Sequence, residues 1–167
     1  ATFSWPTGAW YGRGTPAGDV AFLFPGQGSQ YLSMGAGLTV FDEARSAWDL
    51  AADLSAGWTG EGDALLQEIV FPRSDFSDGA DAAWKTRLTA TQRAQPAIGA
   101  ASLATLRMLS ALGISAACTG GHSYGEVTAL HAAGVLSAGD MLRVARRRGE
   151  LMAAAAEVPG SMVAVSA

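Results

Sequence analysis

The sequence is short of several things, and each shortage narrows its reading. It has one cysteine, Cys118. A single thiol excludes an internal disulfide framework and any zinc site built on cysteine pairs. It also fits a reducing, cytoplasmic setting. There are two histidines, His122 and His131, so histidine-assisted chemistry must use one of them or import another. Only 16% of the residues are charged, and acidic residues outnumber basic ones 15 to 11. That balance gives no electrostatic reason to expect nucleic acid or an anionic membrane. No apolar run approaches the roughly 18 residues of a membrane span. The opening ATFSWPTGAWYGRGTPAG has neither the basic nor the apolar region of a secretory signal.

What remains is material for a core. The chain has 167 residues, 49% of them hydrophobic, which suits one globular domain. Its 21 glycines follow no collagen period. Both ends read as cut. The first residue is Ala1, and residues 161–167 are β-prone and stop in mid-strand, so the chain is expected to be a piece of a longer polypeptide.

Residues 1–19 lack periodicity and read as a linker or lead-in. Residues 20–24, VAFLF, are a continuous apolar run, expected as a strand buried on both faces. A turn-rich loop follows at 25–30. Apolar spacing predicts a helix over 40–54 with Thr39 as N-cap. Residues 55–86 read as loop and short surface helix. A buried helix is expected over 95–112, with Pro96 in its first turn and Gly113 past its end. A strand at 114–119 leads into a helix from 124 to about 133. Ser137-x-x-Asp140 opens a further helix to about 157. Alternating strands and helices predict an α/β fold with a parallel sheet.

Gly121-His122-Ser123-Tyr124-Gly125 fits G-x-S-x-G between a strand and a helix. Such a turn exposes a strained serine above the sheet, and the flanking glycines remove Cβ atoms that would clash there. The N–H of Tyr124 would lie at the positive end of the helix, where an oxyanion is stabilised. An ordinary glycine-rich strand-to-helix turn is the alternative.

Four segments together resemble the malonyl-CoA:acyl-carrier-protein transacylase family, which includes the acyltransferase domains of polyketide and fatty-acid synthases. They are FPGQGSQ (24–30), TQRAQPAI (91–98), GHSYGE (121–126) and RRGELM (147–152). The surrounding text is most similar to acyltransferase domains of iterative type I synthases, of the enediyne and polyunsaturated-fatty-acid types. The resemblance implies a hydrolase-like large subdomain over 20–159. Residues 160–167 would be the first strand of a ferredoxin-like small subdomain.

It also implies a ping-pong transfer. Ser123 would take a malonyl group from coenzyme A as an ester and pass it to the phosphopantetheine thiol of an acyl carrier protein. The oxyanion hole would be the N–H groups of Gln27 and Tyr124. Coenzyme A and phosphopantetheine enter as acyl carriers, with no bound cofactor and no metal. The expected partners are the carrier protein and neighbouring synthase domains, including the rest of the acyltransferase domain. Tyr124 departs from the smaller or aliphatic residues common after the serine in malonyl-type members.

Arg148 stands out independently of the family. It continues the apolar stripe Met141, Val144, Ala145, Leu151, Met152, whereas Arg146 and Arg147 are expected to face solvent. A guanidinium on a buried stripe needs an anion. The resemblance makes that anion the malonyl carboxylate, held by a two-pronged salt bridge. A core Asp or Glu, or a head group at the edge, is the alternative.

Neither histidine is placed to serve as base. His122 adjoins Ser123 on an extended turn and is expected to orient the elbow. His131 is eight residues along the helix, roughly 12 Å of rise. In the family the catalytic histidine lies downstream, so the 167 residues alone are expected to be inactive or nearly so. Gln95 either touches substrate or braces the loop, or is a simple helix-start polar residue. Glu126 favours the dipole at its helix start, and Cys118 reads as a buried thiol. Two rival readings are a serine esterase or thioesterase and a non-catalytic piece of a megasynthase.

Overall fold

The computed structural model describes residues 3–5, 9–15, 18–58, 64–73, 77, 79–156 and 160. Residues 1–19, where the sequence shows no periodicity, contain an antiparallel pair, β1 (Phe3–Trp5) and β2 (Ala9–Tyr11), with Phe3 opposite Tyr11. The main sheet pairs β3 (Ala21–Phe24) with β4 (Cys118–Gly121) in parallel, from Ala21 opposite Cys118 to Phe24 opposite Gly121. Parallel neighbours need a crossover, and a block of helices supplies it.

That block is α1 (Asp42–Ser55), α2 (Leu66–Val70), α3 (Ala80–Thr89) and α4 (Thr91–Ala111). Beyond β4 come α5 (Gly125–Ala132) and α6 (Ala138–Ala155). The α/β class with a parallel sheet flanked by helices is as expected. The terminal strand expected at 160–167 lies outside the described residues, save Gly160.

The core sits where α1, α4 and α6 meet. Ala44, Ala47, Trp48 and Ala51 of α1 face Ala97, Ala100, Leu103 and Ala104 of α4, with Met141 and Leu142 of α6. The small residues let the helices approach closely, and each fully buried Leu or Met contributes roughly 1.5–3 kcal/mol of burial. Trp48 meets Phe71 edge to face, with centroids 4.8 Å apart.

Several expectations are corrected. Helix α1 starts at Asp42, because Thr39 belongs to the preceding 3₁₀ turn and its Oγ1 donates to the Ala36 carbonyl at 2.8 Å. Helix α2 is no surface helix, since Leu66, Ile69 and Val70 are buried in the core. Helix α4 begins four residues before Gln95, which puts Pro96 inside it. Proline cannot donate to the carbonyl four residues back, here that of Gln92. Arg146 Nη1 donates to that oxygen instead, at 3.3 Å, and the helix continues. Strand β3 is not buried on both faces, because Leu23 is 82% exposed while Phe24 is buried. Cys118 is exposed, not buried. Both follow from a sheet that has two strands among the described residues. The cap of α6 forms as expected: Ser137 Oγ accepts from the Asp140 N–H at 3.0 Å.

Candidate active site

Strand β4 ends in the elbow. Ser123 sits at φ +55°, a left-handed conformation that a non-glycine residue adopts at a cost. Gly121 and Gly125 make the turn possible, because a Cβ on Gly121 would overlap the Gly125 carbonyl group. The loop after β3 presses against this turn. A Cβ on Gly26 would overlap the His122 carbonyl oxygen and come within 3.1 Å of Ser123 Cβ. The Gly26 backbone can therefore lie this close to Ser123 only because residue 26 has no side chain. Ser29 Oγ donates to the Gly26 carbonyl at 2.8 Å, and the Gly28 N–H donates to Gln30 Oε1 at 2.8 Å. These bonds hold the loop's shape.

The two amides assigned to the oxyanion hole flank this contact. Among the described residues, neither the Gln27 N–H nor the Tyr124 N–H donates to protein. Tyr124 stands immediately before the first turn of α5, where the helix dipole favours negative charge. Its side chain is fully buried. Burial pushes the phenol up to about 12, against smaller opposing effects of the Thr128 hydroxyl and the Arg148 charge.

A polar chain runs from this loop to α6. Gln27 Nε2 donates to Thr91 Oγ1 at 3.1 Å. Gln95 Nε2 lies 3.5 Å from Gln27 Oε1 and 3.3 Å from Met152 Sδ. Gln95 Oε1 accepts from Arg148 Nη1 at 2.9 Å. Gln95 is buried and sits on the fifth residue of α4, so it is not a helix-start residue. It joins Arg148 to the loop beside the elbow. Thr91 joins through Gln27, a partnership that nothing in the sequence marks.

The three consecutive arginines of α6 separate cleanly. Arg147 is exposed and pairs with Glu150 Oε2 at 3.3 Å. Arg146, expected in solvent, is only 18% exposed. Its Nε donates to Glu150 Oε1 at 2.7 Å, and it reaches the carbonyls of Gln92 and Trp58. The reason is Pro96: the Gln92 oxygen that proline leaves unpaired needs a donor. The Arg146 hydrogen bond, chiefly, holds the Glu150 carboxyl below the usual carboxylate range.

Arg148 is half-buried and, among the described residues, makes no ion pair. The apolar stripe also differs from expectation. Met141, Leu142, Ala145 and Gly149 are buried, whereas Val144, Leu151 and Met152 are exposed. With Arg148, those exposed three line an open depression of about 420 Å³.

The His122 ring is exposed, and that residue meets the elbow through its backbone. Its N–H donates to the Phe24 carbonyl at 3.2 Å, and its carbonyl accepts from the Gly125 N–H at 2.9 Å. The His131 Nδ1 lies 2.8 Å from the Leu136 carbonyl, which ties down the end of α5. Glu126 lies exposed in the first turn of α5. Among the described residues no group of three His, Cys, Asp or Glu is placed to hold a metal, and no helix is long and apolar enough to cross a membrane. A groove of about 690 Å³ between β3 and α4 includes none of Ser123, Gln27 or Arg148.

Several known proteins resemble this chain. The chain is 37% identical over 156 residues to the mycoketide-CoA synthase of Mycobacterium tuberculosis, matching 93% of the chain and 3% of that protein. It is 38% identical over 155 residues to the malonyl CoA-acyl carrier protein transacylase of Bacillus subtilis, matching 87% of the chain and 41% of that protein. The crystal structure of an acyl-carrier-protein-S-malonyltransferase from Bartonella henselae superposes with a TM-score of 0.67 at 38% identity. That superposition covers 81% of this chain and 39% of the other. The chain therefore spans well under two thirds of the length of the proteins it matches. The family model described as the acyl transferase domain matches residues 21–167, and the chain belongs to that family.

Proposed function

We propose that this chain carries the nucleophile, oxyanion hole and carboxylate clamp of an acyltransferase that moves malonyl from coenzyme A to an acyl carrier protein. Ser123 Oγ attacks the thioester carbonyl. The carbonyl oxygen, carrying the developing negative charge, is held by the N–H groups of Gln27 and Tyr124. The C–S bond breaks, and coenzyme A leaves as its thiol with the proton that serine gave up. The phosphopantetheine thiol of the carrier protein then attacks the malonyl-serine ester, and the serine oxygen recovers a proton as it leaves. Arg148 binds the free carboxylate of the malonyl group and so selects dicarboxylic acyl units. Gln95 holds the guanidinium and Gln27 in one polar chain.

The observation that carries this reading is Arg148: a half-buried guanidinium with no carboxylate partner among the described residues, bonded through Gln95 toward the loop against Ser123. A simple serine hydrolase has no use for such a cation. The base is supplied from outside these 167 residues, because the His131 ring is engaged with Leu136 and His122 adjoins the nucleophile on the turn. Neighbouring synthase domains complete the site, in a cytoplasmic setting where coenzyme A thioesters are made.

The test is intact-protein mass spectrometry after exposure to malonyl-CoA. The complete acyltransferase polypeptide should gain a malonyl ester at Ser123 and lose it to a phosphopantetheinylated carrier protein. The 167-residue chain alone should label slowly or not at all. Transfer to water in preference to carrier protein would favour an esterase, and absence of any ester on the complete polypeptide would favour a non-catalytic piece.

A further inference from the structure

Tyr124 follows the nucleophile directly, and it is the largest fully buried side chain among the described residues. Its ring packs with Ile98 of α4 and Ala145 of α6, with Val127 of α5 at the edge. The phenol thus fills the junction of three helices immediately behind the elbow.

Gly99 makes the room. A Cβ there would overlap Tyr124 Oη, while its other neighbours, Tyr124 Cζ at 3.3 Å and Leu142 Cδ2 at 3.5 Å, are tolerable. The conflict is with the hydroxyl oxygen alone. Gly99 lies inside a 21-residue helix, where glycine costs up to about 1 kcal/mol relative to alanine. Its backbone is not left-handed, so local conformation does not ask for glycine. The hydroxyl it accommodates is itself unfavourable. Among the described residues, neither Tyr124 Oη nor the Thr128 Oγ1 beside it has a hydrogen-bond partner of good geometry, and an unsatisfied buried hydroxyl is destabilising. Two locally poor choices fit one another at the residue whose N–H faces the reaction. Local rules broken in this concerted way mark functional sites.

We propose that Gly99 and Tyr124 form a size-matched positioning pair: the phenol, seated in the space left by the glycine, sets the direction of the Tyr124 N–H beside Ser123. The same wedge spaces α6, where Arg148 follows Ala145 by three residues, from the elbow. This inference rests on the transferase reading above.

The test uses the complete acyltransferase polypeptide in four forms: parent, Gly99→Ala, Tyr124→Phe and the double variant. Single-turnover acylation of Ser123 by malonyl-CoA should slow about ten- to a hundred-fold in Gly99→Ala, since a misplacement of about 1 Å can cost that much. KM for malonyl-CoA should move far less. Removing the hydroxyl in the double variant should restore the rate to near that of Tyr124→Phe.

A Gly99→Ala rate within about twofold of the parent, or a double variant as slow as Gly99→Ala, overturns the pair. Should Gly99→Ala not fold, the double variant must fold and acylate; if it also fails, the pair is wrong. A parent that forms no acyl-serine sinks the transferase reading instead. The pair is then judged by the rate at which a fluorophosphonate modifies Ser123 in the same four proteins, with the same pattern of loss and rescue required.

Discussion

Replacing Arg148 by alanine tests the clamp most directly, and its size can be worked from the structure. The guanidinium gives one N–H to Gln95 at 2.9 Å, which leaves the rest of its fork for a carboxylate. Hydrogen bonds to charged groups contribute about 1.5–3 kcal/mol each. A half-buried, partly solvated site takes the lower end, so two such bonds give about 3 kcal/mol. That is about a 150-fold change in kcat/KM for malonyl-CoA, with little change for acetyl-CoA.

The assay is competition between malonyl-CoA and acetyl-CoA on the complete polypeptide, read as the ratio of the two acyl-serine masses. Arg148→Lys keeps the charge but loses the fork, and should fall between, at about a tenfold loss. Arg148→Ala also strands the buried Gln95 Oε1, a cost of about 1–3 kcal/mol in stability. Melting temperatures must therefore accompany the ratios. A folded Arg148→Ala protein that keeps the parent preference for malonyl within about twofold would refute the role given to Arg148.

Gly26→Ala should drive a Cβ into the His122 carbonyl and push the Gln27 amide off the nucleophile. Acylation should fall by about a hundred-fold while a circular dichroism spectrum stays unchanged; normal turnover would show that this loop does not form the oxyanion hole. Alkaline titration should report Tyr124. Its phenol has an ordinary value of 10.0 and stands at about 12 in the fold, so its contribution is intact below pH 10 and is lost as pH rises through 12. The stability lost between those two values is about 2–3 kcal/mol, and Tyr124→Phe should flatten the alkaline limb of a melting-temperature profile. On the acid side, Glu150 is held below its ordinary 4.5 by Arg146. Its pairing stabilises the fold above that value and is lost as pH falls through the depressed one. Glu150→Gln should remove part of the acid dependence below pH 4.5, an outcome checked by urea melts on the acid side of that value.

Much of the site was legible in the sequence because local backbone chemistry determines it. The turn itself needs a glycine at 121, where a Cβ would overlap Gly125, and Ser123 sits at φ +55° within it, whereas Gly125 is required by the Phe24 carbonyl of the neighbouring strand. The cap of α6 needs only a hydroxyl three residues before a free N–H, and Ser137 and Asp140 provide it. Sequence pattern marks β3, β4, α1, α4, α5 and α6, with ends displaced by a few residues, but nothing in the pattern of 1–19 or 55–86 sets the bounds of β1, β2, α2 or α3.

Tertiary contacts decided the rest. Gln95 reaches Gln27 across 68 residues and Arg148 across 53. Neither bond has a signature at either end. Arg146 is half-buried, against its sequence pattern, because it serves an oxygen that Pro96 leaves unpaired on another helix. Leu23 is exposed because a strand's burial depends on what lies on both of its faces. Within one turn or one cap, the residues carry their own instructions, since the interacting groups are neighbours along the chain. Which of three consecutive arginines stays without a carboxylate among the described residues, and which glycine makes room for a phenol, depend on partners brought together only by packing.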